Sequence, residues 1–265
     1  MEMRGLMGGF YRLSEWIMRF SVINLLFLLC SLPSIFFLLL MWGAYSAGSA
    51  QANIDTARMS VLLAMAVAPF STFPSAAAMF TVARKWVMND LDVPLFKTFF
   101  KGFKENYKQS MLGGLFYVIL FVVAYINIEF YKSMNSLASA LSILFLVLIG
   151  YLAVSLFQFF SLMVHIQLTT WQLLKNALLV TIGRLFTSLA MAATAVAAIY
   201  VSVMFNFFPI VFFTWSVIAY VTFLLFYRMY TKMRERVEAE KAENSEIKGG
   251  QLDDAAGLTE HDGQG

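Results

Sequence analysis

The sequence predicts an all-α polytopic membrane protein with six transmembrane helices and amphipathic cytoplasmic helices. Three observations carry that prediction. First, the 265 residues are 60% hydrophobic and 16% aromatic but only 13% charged, with a mean hydropathy of +0.72; a soluble domain is nearer half apolar and a quarter charged. Second, uncharged apolar runs recur that are long enough to cross a hydrocarbon core of about 30 Å. Third, the basic residues gather on one side of the resulting topology. The net charge of +3 is too small to point to nucleic acid, and no such partner is expected. The single cysteine, Cys30, lies in an apolar run with no disulfide, metal or redox partner. His165 and His261 are far apart, so no metal or cofactor site is expected.

In chain order, Leu6, Phe10, Leu13, Ile17 and Phe20 repeat at helical spacing while Arg12, Glu15 and Arg19 line another face. That pattern predicts a short amphipathic helix leading into the first span, about 20–42, which Asn24 and Pro33 interrupt. Ala50-Gln51-Ala52 resembles a signal-peptidase site, but the apolar run before it is too long for a signal peptide. A polar loop over 43–59 precedes a second span at about 60–82. Its Pro69, Ser71, Thr72, Pro74 and Ser75 predict a kinked helix whose hydroxyls satisfy backbone groups freed by proline. Arg84, Lys85 and Trp86 follow as a basic pair and a belt aromatic at a membrane exit.

Pro94–Ser110 reads as an amphipathic helix. Phe96, Phe99, Phe100, Phe103 and Tyr107 form one stripe, and Lys97, Lys101, Lys104 and Lys108 form another beside it. Asp92 can cap its start, and Pro94 suits its first turn. Such a helix can lie flat on an anionic bilayer. Spans three and four are read at about 111–130 and 137–163, with a turn around Ser133–Ser136 between them. A second amphipathic connector follows at 164–184, with Thr169 or Thr170 as its cap and Trp171, Leu174, Leu178 and Ile182 as its stripe. Spans five and six, about 185–205 and 209–227, are joined by a tight hairpin at Asn206–Pro209. Residues 1–236 thus form a membrane domain, and 237–265 an acidic cytoplasmic tail expected to be disordered. Segments 60–130 and 137–205 echo each other as span, amphipathic helix, span, which suggests a duplicated unit.

Six spans put both termini on one side. Of the 19 Lys and Arg, Arg58 and Lys132 alone fall on the other. The asymmetry predicts cytoplasmic termini and cytoplasmic connectors.

Chemistry-bearing motifs are sparse. The sequence holds no phosphate-cradling glycine loop with GK[ST], no HExxH and no GxSxG. No charged residue falls at the centre of an expected span, which disfavours proton coupling. Asn24, Asn127, Gln158 and Asn206 are expected to bridge helices, and His165 to be an interfacial residue. No enzyme activity is expected.

The N-terminal helix with Asn24-Leu25-Leu26, then Phe73-Pro74-Ser75-Ala76-Ala77-Ala78-Met79-Phe80, Val82-Ala83-Arg84-Lys85-Trp86 and Pro94–Lys104, resembles the YesL family of bacterial membrane proteins. The likeness is strong over about residues 8–110 and looser through span six; the acidic tail lies outside it. The family has no assigned activity and supplies no catalytic residues. Its resemblance to proteins encoded near carbohydrate-uptake genes implies a role tied to sugar import at the bacterial plasma membrane.

Two readings of the surface follow. Arg84, Lys85, Trp86, Phe96, Lys97, Phe99, Phe100, Lys101, Phe103 and Lys104 would contact lipid, or a carbohydrate import permease or its ATPase. Pro69, Ser71, Thr72 and Pro74 would line a path if the protein is instead a transporter or channel for a small neutral solute.

Overall fold

The computed structural model of the protein describes residues 6–46, 50–132, 134 and 136–261. Arg4, Ser133 and the end of the tail lie outside the described residues. The described residues are helical with short breaks: α1 (Leu6–Cys30), α2 (Leu32–Ser46), α3 (Ala50–Val67), a 3-10 turn (Ala68–Phe70), α4 (Thr72–Val87), α5 (Leu95–Lys132), α6 (Ser136–His165), α7 (Thr170–Gly183), α8 (Leu185–Met204), α9 (Phe208–Phe212) and α10 (Thr214–His261). The chain divides into a bundle ending at Leu225 and a C-terminal segment from Phe226.

The all-α class stands. Among the described residues, four helices are long and apolar enough to cross a membrane, at Gly9–Cys30, Leu95–Lys132, Ser139–His165 and Leu185–Met204; a fifth appears if Ile54–Phe70 and Thr72–Val87 count as one bent span. The first expected span, 20–42, is divided at Ser31. Pro33 cannot donate a backbone hydrogen bond, and the Ser31 carbonyl instead accepts the N–H groups of Ser34 and Ile35, each at 3.0 Å. The amphipathic start is therefore one helix with the first half of that span. The second span begins earlier, since α3 occupies much of the expected polar loop, and it bends by 50° at the Pro69 turn. The sixth is broken at Phe213. The apolar part of α10, Thr214–Tyr227, rises only about 21 Å, short of a bilayer core.

A buried asparagine supports that last break. Asn24 in α1 donates to the carbonyls of Ile210 (2.9 Å) and Val211 (2.7 Å), and it accepts from the N–H groups of Trp215 (3.0 Å) and Ser216 (3.1 Å). It thereby satisfies backbone groups that both helix ends would leave unmade. Asn24 bridges helices as expected. Asn127 bonds its own helix at Val123, and Asn206 takes a left-handed φ of 52° in the α8–α9 turn.

The backbone is helical from Thr214 through His261, in keeping with a sequence of good helix formers such as Glu, Ala and Lys beyond residue 237 and an exposed Arg234–Glu238 pair one turn apart.

Candidate functional site

The basic end of the bundle is built on the hairpin of α4 and α5. Helix α4 stops where Asn89 turns left-handed, at φ 65°. The N–H of Asp90 bonds the Lys85 carbonyl (2.9 Å) and that of Asn89 bonds the Trp86 carbonyl (3.0 Å), a Schellman ending with asparagine in glycine's usual place. Lys85 and Asp90 pair at 3.0 Å on the surface. Helix α5 then starts at Leu95, the Pro94 carbonyl accepting the Thr98 N–H at 2.9 Å. Pro94 thus sits just before the helix rather than in its first turn.

No break separates the amphipathic segment from span three. α5 is one helix of 38 residues, about 57 Å long. The amphipathic segment and span three therefore form one continuous helix rather than two separate ones. Its aromatic stripe is split between faces. Phe99 is fully buried and Phe103 half-buried, while Phe96 and Phe100 are exposed, as are Lys97, Lys101, Lys104 and Lys108. Gly102 lets α4 approach, since a Cβ there would meet Thr81 at 2.7 Å. Deeper in the hairpin, a Cβ on Gly114 would lie 3.1 Å from the Pro69 Cα. The Gly113-Gly114 pair is a contact surface for neighbouring helices.

Trp86 is not a belt residue. It is buried against Trp16, Phe20 and Tyr220, with ring centroids 5.5, 5.4 and 6.4 Å away. Arg19 beside this cluster reaches the Leu91 carbonyl and Glu15, so α1 braces the loop before α5.

Arg84 takes another direction. It lines a cavity of about 580 Å³ where the end of α6 and the start of α7 meet the hairpin. Asn106 and Gln109 of α5, His165 of α6 and Gln172 of α7 line it as well. The lining residues include no aspartate or glutamate, and the buried Arg84 Nε has no hydrogen-bond partner. The walls are fixed by specific bonds. Asn106 donates to the Gly102 carbonyl (2.9 Å) and Gln109 to the Leu168 carbonyl (2.9 Å). Thr169 and Gln172 form a reciprocal capping box that starts α7, as the sequence suggests for Thr169. The expected α7 stripe is off register. Leu173, Leu174, Ala177 and Thr181 are buried, while Trp171 and Ile182 are exposed.

The cavity residues Asn106, Gln109 and Gln172 went unflagged in the sequence. Their only signal is that two amides stand one turn apart at the rim of a lysine stripe.

The expected path residues lie at the bend. Pro69, Ser71 and Pro74 are buried and Thr72 half-buried. The Ser71 and Ser34 hydroxyls are 2.9 Å apart, so the break after α1 and the break before α4 meet. Ser31 Oγ and Thr72 Oγ1 are buried there without hydrogen-bond partners. The cavity at Arg84, and an apolar one of about 420 Å³ walled by Thr194, Ala198, Pro209 and Thr214, are lined by other residues. Gln158, expected to bridge helices, is fully buried with neither amide atom bonded.

Among the described residues no group of three or more His, Cys, Asp or Glu is placed to hold a metal. The expected duplication is not mirrored in the connectors. The first merges with α5, while the second is the separate helix α7.

Comparison with known proteins places the chain. A family model described as a protein of unknown function, DUF624, matches residues 20–128. Three uncharacterised proteins of Bacillus subtilis (strain 168) are similar. YteU is 29% identical over 238 residues, covering 89% of this chain and 91% of its own. YesL is 30% identical over 178 residues, 65% of this chain and 81% of its own. YesV is 32% identical over 111 residues, 42% of this chain and 53% of its own. No solved structure matches. The matched region holds Asn24, the bent α3–α4 pair, Arg84 and most of α5, and the chain belongs to the YesL-like DUF624 family of uncharacterised proteins.

Proposed function

We propose that this protein is a non-enzymatic multi-pass protein of the bacterial plasma membrane, with the basic N-terminal half of α5 in the cytoplasm, that assists carbohydrate uptake by meeting an import permease or its ATPase. One observation supports this most. α5 is 38 residues long, nearly twice what a core of about 30 Å needs, and its basic half outruns the end of α6. That half carries exposed Phe96 and Phe100 beside four exposed lysines. Basic residues favour the cytoplasmic side, where an exposed aromatic pair on a rigid rod suits a protein groove. The link to sugar import rests on the resemblance described from the sequence.

Crosslinking mass spectrometry on native membranes tests the proposal. Capture of one permease or ATPase through Lys97, Lys101, Lys104 or Lys108, lost in Phe96→Ser/Phe100→Ser protein that still inserts, is the expected result. Capture of this protein alone, or capture indifferent to those substitutions, contradicts it.

A second reading, an autonomous transporter for a small neutral solute, draws on the helix breaks that meet at Ser34 and Ser71, since discontinuous helices form binding sites in transporters. It requires flux in proteoliposomes holding this protein alone, altered by Ser71→Ala.

A further inference from the structure

We propose that the cavity at Arg84 is a binding site for the phosphate ester of a polyol, independent of any docking role of α5. Four observations converge on this chemistry.

The cavity's volume of about 580 Å³ is that of a small-molecule site rather than a packing defect. Its polar side chains come from four different helices or their ends, beside apolar Met163, Val164, Ile166 and Leu168, and Asn106, Gln109, Thr169 and Gln172 are fixed by hydrogen bonds to backbone. Its cation is uncompensated. No acidic side chain lines it, and Arg84 Nε is buried without a hydrogen-bond partner. A guanidinium partly removed from water and facing no carboxylate is an anion receptor, and its planar fork matches phosphate.

The remaining hydrogen-bonding capacity defines the rest of the ligand. Asn106 donates to the Gly102 carbonyl and to Thr81 Oγ1, and Gln109 donates one N–H to the Leu168 carbonyl; each keeps a side-chain oxygen able to accept. Gln172 uses its oxygen on the Thr169 N–H and keeps its NH₂ to donate. The cavity thus offers strong donors at Arg84, further N–H groups at Gln109 and Gln172, and acceptors at Asn106 and Gln109. A bare phosphate would leave those acceptors unmatched, whereas hydroxyls beside the phosphate donate to them. Two sources carry this chemistry: a glycerophospholipid headgroup such as phosphatidylglycerol, and a soluble sugar or glycerol phosphate.

The experiment uses the full chain in nanodiscs of phosphatidylcholine. Glycerol 1-phosphate and glucose 6-phosphate are titrated by isothermal calorimetry. In parallel, the protein is reconstituted with phosphatidylglycerol and the lipids it retains are counted by native mass spectrometry. Wild type, Arg84→Gln and Lys132→Gln are compared; Lys132 is an exposed charge at the far end of α5, outside the cavity, and serves as the control. A charged hydrogen bond sets the expected loss in Arg84→Gln at about tenfold to a hundredfold, with Lys132→Gln unchanged. Loss in the calorimetric arm identifies a soluble ligand, and loss of retained phosphatidylglycerol alone identifies a lipid. If Arg84→Gln does not fold, Arg84→Lys carries the test, because it keeps the charge and loses the fork; about tenfold weakening is expected. Absence of Arg84-dependent binding in both arms, in folded protein, overturns the proposal.

Discussion

Asn24 shows how a single polar side chain can decide local architecture. It is fully buried and makes four hydrogen bonds to a segment nearly 190 residues away, at the joint of α9 and α10. Replacing it with Leu keeps the volume but strands two donors and two acceptors out of reach of water. We expect Asn24→Leu to destabilise by at least about 3 kcal/mol, read as a lower melting temperature of the purified protein in detergent. Gly113 imposes the opposite constraint, because a Cβ there would run into the buried Phe159 ring. Gly113→Ala should therefore cost about 1–3 kcal/mol by overpacking, while Gly150→Ala, which meets nothing within 4 Å, should be neutral in the same melt. At this scale the sequence marks which residues are unusual but not their partners. An asparagine in an apolar run signals a bridge, yet its partners come from the other end of the chain. Trp86 reads as a belt residue because Arg84 and Lys85 precede it. That α1 folds over it with Trp16 and Phe20 depends on long-range contacts that no local pattern encodes.

At the scale of the element, α5 carries the account. Its two stripes are legible as helical periodicity, and the lysines are exposed where that periodicity puts them. Its continuity is not legible, because Gly113-Gly114 has the composition of a break while serving as a contact surface. The aromatic stripe accordingly divides by function. Phe99 is fully buried, and Phe99→Ala should cost about 3–5 kcal/mol. Phe100, 48% exposed, should tolerate the same change with little loss of stability, so that any defect in partner capture is separable from unfolding. Chemical or thermal unfolding of both variants, side by side in one detergent, checks the contrast. α7 is the more legible helix. Thr169 announces its start, and in the structure Gln172 completes the capping box. Its buried face is displaced because α7 packs mainly against α6.

Across the whole molecule, composition points to a membrane protein, the described residues are helical with several helices long and apolar enough to cross a bilayer, and the exposed lysines of α5 supply its proposed orientation. The number of spans was less legible. An apolar run is counted the same whether it forms a straight rod or is divided at Pro33, at Pro69 or at Phe213. The measurement that bears most directly on the account places single cysteines along α5 in a Cys30→Ser background and labels them with a membrane-impermeant maleimide in right-side-out and inverted vesicles. If α5 crosses the bilayer with its basic half in the cytoplasm, Lys101→Cys is labelled in inverted vesicles alone, Lys132→Cys in right-side-out vesicles alone, and Ile119→Cys in neither. Labelling of Lys101→Cys and Lys132→Cys from the same side would contradict it.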